Sequence, residues 1–328
     1  MRRIVAAAAG VLLGGSILAA CGNSSPSSSG GSAGLTTVKV GYTAVGAGYA
    51  DLYVGTLDGI FKKNGLNVQL DNLDNSSLLV PSLVSGSIQI GVGVANNSAA
   101  AILKGQQLKF IALSEPVYNL QVWGKKDIAS VQDLVGKKVA VSGPGSESFF
   151  GLQALLAEHG IAASRVTEVD VVNPQAQVAA MESGSVDAIL TQPPNGSQTA
   201  AHGFHQIASL ANLPFALGTY TVTSSYISQN SGVLKKFAKA EVENLAFLRS
   251  HPAATIAAIA KDSGVSSPAL AKQAYQFFLG VWAKDPTVAS GPIQAAFSAA
   301  AKKDGRPAPS DVSKYIDNSF VTAANASS

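Results

Sequence analysis

The sequence predicts an α/β protein built as two lobes around a cleft, and three observations carry that expectation. The first is a repeat: Leu83-Val84-Ser85-Gly86-Ser87-Ile88-Gln89-Ile90-Gly91-Val92 is echoed by Met181-Glu182-Ser183-Gly184-Ser185-Val186-Asp187-Ala188-Ile189-Leu190. Each copy reads as a helix end, a Ser-Gly-Ser turn whose glycine takes the left-handed conformation, and a short buried strand. The second is the spacing of the copies, 98 residues, too long for a solenoid period of about 20 to 50 residues but suited to two lobes. The third is length, since 328 residues against a prior of roughly 100 to 200 per domain gives two.

Composition narrows the class. Apolar residues make up 47% and charged residues 13%, which suits a globular core and excludes both a disordered chain and a nucleic-acid binder. The net charge of +3 includes Arg2 and Arg3, and these belong to a segment with the layout of a secretory signal. Residues 1–20 join those arginines to an apolar run from Ile4 to Leu18 and to the small pair Ala19-Ala20. Leu18-Ala19-Ala20-Cys21 resembles the lipobox of bacterial lipoproteins, which implies lipidation of Cys21 and a place on the outer face of the cell membrane or in the periplasm. As the sole cysteine, Cys21 cannot form an internal disulfide. Residues 21–36 complete the anchor with a Gly/Ser-rich tether spanning about 20 Å by random-coil scaling.

The first lobe is expected over residues 37–120. An alternating strand at 37–42 leads through a glycine-rich turn to a helix at 51–63. A strand at 67–70, a helix at 76–84, a strand at 88–92, a helix at 98–104 and a strand at 109–113 follow, a βαβ run that predicts a mostly parallel sheet. Residues 118–123 read as a strand crossing to the second lobe, 121–213, and Lys125-Lys126 as solvated surface. There, strands at 139–141, 166–172, 186–191 and 205–209 alternate with helices at 146–159, 175–182 and 196–202. The return, 214–328, offers a β-rich stretch at 219–227 and then helices separated by Pro252, Pro268 and Pro292.

The two Ser-Gly-Ser repeats, the strand-turn-helix opening and Asp133-Leu134-Val135-Gly136-Lys137-Lys138-Val139-Ala140-Val141 resemble the solute-binding proteins of bacterial ABC importers. The similarity spans residues 38–301 and is greatest to binding proteins for sulfonates, nitrate, taurine and thiamine-pyrimidine precursors. It implies a type II periplasmic-binding-protein fold that closes its lobes on a small solute. It also implies delivery to an ABC permease with a cytoplasmic ATPase, by a monomeric protein that needs no cofactor and does no chemistry.

In open α/β sheets ligands bind beyond the carboxyl ends of strands, where helix N-termini offer free N–H groups. The candidates are therefore Thr43, Ala44, Gly46 and Tyr49; Asn96, Asn97 and Ser98; Ser114, Glu115 and Tyr118; Ser142, Gly143, Gly145 and Ser146; Gln192; and Tyr220 on the return strand. Of Asn96, Asn97 and Ser98, one is expected to be a plain helix cap. These turns carry Asp51, Glu115 and Glu147 but no Lys or Arg, and Tyr42, Tyr49, Tyr118 and Phe149 stand nearby. Such a set favours a nitrogenous or heteroaromatic solute, with a sulfonate or nitrate held by helix N-termini as the other expectation, and Asp51 is read as facing solvent.

Two other readings compete. A surface sensor would use the same fold. A dinucleotide enzyme would use Gly46-Ala47-Gly48 with Asp71, although Asp51 stands where the third glycine belongs. A hydrolase lacks its Gly-x-Ser-x-Gly elbow, and His202-x-x-His205 is the one close histidine pair, read as a helix end.

Overall fold

The computed structural model of the protein describes residues 34–327, Ser266 excepted; the leader, the lipid site at Cys21 and most of the tether lie outside the described residues. Alternation opens the fold: in β1 (Thr36–Tyr42), Val38 and Val40 are fully buried while Lys39 between them is exposed. The helix expected over 51–63 is divided into α1 (Ala50–Leu57) and α2 (Ile60–Lys63), because Gly59 takes φ 74°, a left-handed backbone that stops one helix before the other starts. Then come β2 (Leu66–Asn72), α3 (Leu79–Ser85), β3 (Ile90–Gly93), α4 (Ala95–Leu103) and β4 (Leu108–Val117). With Val94 at its N-cap, α4 starts earlier than the sequence predicts; Asn96, Asn97 and Ser98 lie inside its first turn and none of them caps it.

The chain next builds β5 (Gln121–Gly124), β6 (Lys138–Val141), α5 (Glu147–Glu158), β7 (Thr167–Asp170), α6 (Pro174–Glu182), β8 (Ala188–Thr191), α7 (Asn195–Gln198) and β9 (His205–Ser209). It comes back as β10 (Pro214–Thr223). The β-rich stretch expected to reach residue 227 ends at Thr223, whose Oγ1 accepts the Tyr226 N–H at 3.1 Å and caps α8 (Ser224–Ser250). Pro252 and Pro268 open α9 (Pro252–Asp262) and α10 (Pro268–Phe278), where a missing N–H costs nothing. Pro292 instead sits within the first turn of α11 (Ser290–Lys303), and α12 (Ser319–Asn325) closes the fold.

The strands form two five-stranded sheets, β2-β1-β3-β10-β4 and β7-β6-β8-β5-β9. Each has the same plan: the fourth strand runs antiparallel to its neighbours and the others run together. In each sheet that strand is the one arriving from the other. On the first sheet, α1, α8, α9, α10 and α12 bury one apolar face, with Phe61 stacked on Phe237 at 5.5 Å, while α4 and α11 cover the opposite face around Phe110 and Phe297. Each such phenylalanine stabilises the fold by about 1.5–3 kcal/mol through burial.

The repeat explains itself as architecture. Gly86 (φ 76°) and Gly184 (φ 81°) turn the chain from helix to strand, with the flanking serines joined Oγ to Oγ at 3.1 Å (Ser85 and Ser87) and 2.9 Å (Ser183 and Ser185). Gln89 and Asp187 then do the same work in their two sheets. Gln89 Oε1 accepts the Lys39 N–H and Asp187 Oδ2 accepts the Lys138 N–H, both at 2.9 Å, so each anchors its strand beside the neighbouring parallel one. Asp187 also takes up Lys125, expected to be free surface, in an ion pair at 2.9 Å. Among the described residues no helix is long and apolar enough to cross a membrane.

Candidate functional site: the cleft between the sheets

Two segments connect the sheets, from β4 to β5 and from β9 to β10. They run side by side: the Tyr118 N–H donates to Leu213 O (3.2 Å), the Leu210 N–H to Leu120 O (2.9 Å), and the Tyr118 and Phe215 rings stack at 3.9 Å. A paired crossing can bend without breaking either sheet. Beside it lies a cavity of about 830 Å³. Its walls are the segments following β1, β2 and β3 on one side and β6, β7 and β8 on the other, so the carboxyl ends of both sheets point into one space.

Of the sequence-derived candidates, Thr43, Ala44, Gly46, Tyr49, Glu115, Ser142, Gly143, Ser146 and Gln192 line this cavity. The others are not among the lining residues. Asn97 Nδ2 donates across the cleft to Gly145 O at 3.1 Å, and Ser98 Oγ meets Thr221 Oγ1 at 3.2 Å. Ser114 Oγ donates to Gly218 O at 3.3 Å, Asn96 is buried in the first turn of α4, and Tyr118 belongs to the crossing. Tyr220 is fully buried and its hydroxyl donates to Asp51 Oδ2 at 2.7 Å. Asp51 therefore does not face solvent; it is 1% exposed and shares a buried network with Tyr220 and Glu241.

The aromatic richness expected of the pocket is not there. Tyr42 packs on Tyr49 and Tyr53, and Phe149 on Phe150, leaving Tyr49 as the one aromatic ring among the lining residues. The tyrosine is held by its hydroxyl, 3.0 Å from Thr43 Oγ1. Gly46 and Gly48 are glycines for a reason other than a dinucleotide. A Cβ at Gly46 would stand 2.8 Å from Gln192 Oε1, and one at Gly48 2.7 Å from Glu115 Oε1, so a carboxyl group occupies the space a pyrophosphate would need.

The electrostatics are one-sided. The lining residues include Asp74, Glu115, Glu147 and Asp170 and no Lys, Arg or His. Asn119 holds the two glutamates: its Nδ2 donates to Glu115 Oε2 at 2.7 Å and its N–H to Glu147 Oε1 at 2.8 Å. Burial pushes the Glu147 carboxyl up to about 8. Burial, reinforced by the Glu147 charge, holds Glu115 well above the usual carboxylate range. Ser146 caps α5 by accepting the Phe149 N–H at 3.2 Å. His202, at the end of a short 3-10 turn, lies 3.2 Å from Glu182 on the surface.

A family model described as NMT1/THI5 like matches residues 47–255, more than half of the chain. The chain belongs to the NMT1/THI5-like family. It is 27% identical over 201 residues to the taurine-binding periplasmic protein of Escherichia coli (strain K12), covering 58% of this chain and 60% of that protein. It is 27% identical over 213 residues to the riboflavin-binding protein RibY of Chloroflexus aurantiacus, covering 62% and 60%. The chain thus spans about three fifths of the length of these curated relatives, both of them binding proteins by name. The alkanesulfonate-binding protein SsuA from Xanthomonas axonopodis pv. citri, bound to MOPS, superposes with a TM-score of 0.72 over 87% of this chain and 99% of that one. At 18% identity that likeness establishes the periplasmic-binding-protein fold.

Within this NMT1/THI5-like fold, several lining segments escaped the sequence reading. Residues 74–77 and 172–175 follow β2 and β7, and the strand-end rule applied to those strands would have found them. Residues 263–265, between α9 and α10, reach the cavity from the far end of the chain and carry no local signal. Asn119 was hidden inside an apolar run that reads as strand.

Proposed function

We propose that this protein captures a small organic solute between its lobes outside the cytoplasm and passes it to an ABC permease driven by a cytoplasmic ATPase. The observation that carries the reading is the cavity itself: the strand ends of two sheets converge on it beside a paired crossing that can flex. The binding proteins for taurine, riboflavin and alkanesulfonates among its relatives and fold neighbours support the same class. Solute contacts are assigned to the cavity-lining Thr43, Tyr49, Glu115, Ser142, Ser146 and Gln192, together with Asn119 and Glu147. The protein acts as a monomer held to the membrane by lipid on Cys21.

The test is binding with closure. A thermal-shift screen over sulfonates, amines, pyrimidines and flavins, followed by calorimetry, is expected to find a saturable ligand, and a hit at about 100 times its Kd adds roughly 2.7 kcal/mol to the native state. Small-angle scattering should show the protein contract on binding, and a strain lacking the gene should lose uptake of that solute. Recovery of a chemically altered ligand, or binding without contraction, would refute the reading.

A further inference from the structure

Three features of the cavity wall nearest the crossing point the same way. Glu115 and Glu147, 1% and 8% exposed, are held together by Asn119, Gln192 also hydrogen-bonds Glu147, and all four residues line the cavity. Among the described residues that line the cavity there is no Lys, Arg or His to answer them. The groups facing the pair are Tyr49 from the 3-10 turn before α1, Asp51 from α1, Tyr118 and Asn119 from the crossing, and Gln192 after β8, with Asp74 and Asp170 elsewhere on the wall. Finally, Asn119 Oδ1, on a side chain 1% exposed, has no hydrogen-bond partner, and neither has Thr191 Oγ1 on the same cavity wall. A buried acceptor left without a donor carries an uncompensated desolvation cost, which a ligand N–H would recover.

The same wall is ill-suited to an anion. At the N-terminus of α5, where a sulfonate would find free N–H groups, the first turn already carries the Glu147 carboxyl and is capped by Ser146.

We propose that the Glu115–Asn119–Glu147 cluster is the subsite for a protonated amine carried by the captured solute, an inference that rests on reading the cleft as a solute site. The ammonium N–H groups donate to the two carboxyls and to Asn119 Oδ1. Binding is linked to the proton that Glu147 carries when the site is empty: as the ammonium arrives that proton leaves to the buffer, and the carboxylate formed pairs with the cation. With Glu147 pushed up to about 8, affinity for an amine rises about eightfold between pH 6.5 and 7.5.

The experiment uses four probes, propylamine, propanesulfonate, taurine and riboflavin, in thermal-shift titrations at pH 6.5 and 7.5 on the wild type and on Glu147→Gln. The expected result is stabilisation by propylamine and taurine, reached at about eightfold lower concentration at pH 7.5. Glu147→Gln keeps a cooperative melt but needs at least about tenfold more amine and loses the pH dependence; Glu115→Gln serves as a second variant with the same loss of affinity. Binding of propanesulfonate or riboflavin alone, equal in both proteins, overturns the amine subsite and leaves the solute-capture reading standing. No response to propylamine or taurine in either protein overturns the amine subsite, while the solute-capture reading is decided by the wider screen over sulfonates, pyrimidines and flavins.

Discussion

Gly48→Ala tests the cavity wall from behind. The added methyl carbon would lie 2.7, 2.9 and 3.1 Å from Glu115 Oε1, Oε2 and Cδ, against an ordinary contact of 3.4 Å or more. The carboxyl must retreat by about 0.7 Å, and it is buried with its Oε2 fixed by Asn119 Nδ2 at 2.7 Å. Overpacking of this kind costs about 1–3 kcal/mol, and stretching a hydrogen bond that a buried acid depends on adds about 1–3 kcal/mol. The expected loss is about 2–6 kcal/mol, or at least about 3 °C in Tm for a chain of this size. Thermal and urea melts followed by circular dichroism measure it. Two controls fix the cause: Gly232→Ala, with open space around its Cβ in α8, should stabilise by about 0.5–1 kcal/mol, and in a Glu115→Ala background Gly48→Ala should cost almost nothing. A Gly48→Ala protein melting within 1 °C of the wild type, or an undiminished loss in the Glu115→Ala background, would falsify the account (the 1 °C limit being about a third of the smallest expected shift).

Two further outcomes follow from buried carboxyls and from the duplicated turn. Glu147, Glu115 and Glu241 are raised above their unfolded values, chiefly by burial, so their contribution to stability is fully present below about pH 4.5 and is lost as pH rises through the folded value, about 8 for Glu147. Tm should therefore fall between about pH 5 and 8 and fall less in a Glu147→Gln/Glu241→Gln double variant; a Tm rising through that window contradicts the burial argument. Gln89→Ala and Asp187→Ala remove the same backbone anchor in the two sheets, and each should cost about 1 kcal/mol, with Asp187→Ala the larger because it also frees Lys125. Urea denaturation that ranks them in the opposite order would show that the ion pair, rather than the shared anchor, is irrelevant.

What was legible in the sequence was whatever depends on neighbours along the chain. The Ser-Gly-Ser turns were readable because a left-handed glycine and a following apolar strand are local facts, and Gly86 and Gly184 adopt that conformation. The strand-end rule found Thr43, Ser142 and Gln192 because it needs only strand direction. Helix boundaries suffered where two local signals compete, as at Thr223, where a strand-forming residue is also a cap.

The remainder was decided by which distant segments meet. Asp51 looks like a solvent-facing charge on a short helix, yet Tyr220, 169 positions away, and Glu241 enclose it. Tyr118 sits at a strand end as a ligand contact would, but Phe215 claims its ring. Gly46-Ala47-Gly48 reads as half of a nucleotide fingerprint until Gln192 and Glu115 fill the space beside it. Sequence periodicity by itself determined two α/β units, because backbone preference and alternation act over a few residues. Only the tertiary structure decided which side chains face the cleft and which acids are buried without a cation, because burial and charge compensation are set by segments whose separation along the chain says nothing about their distance in space.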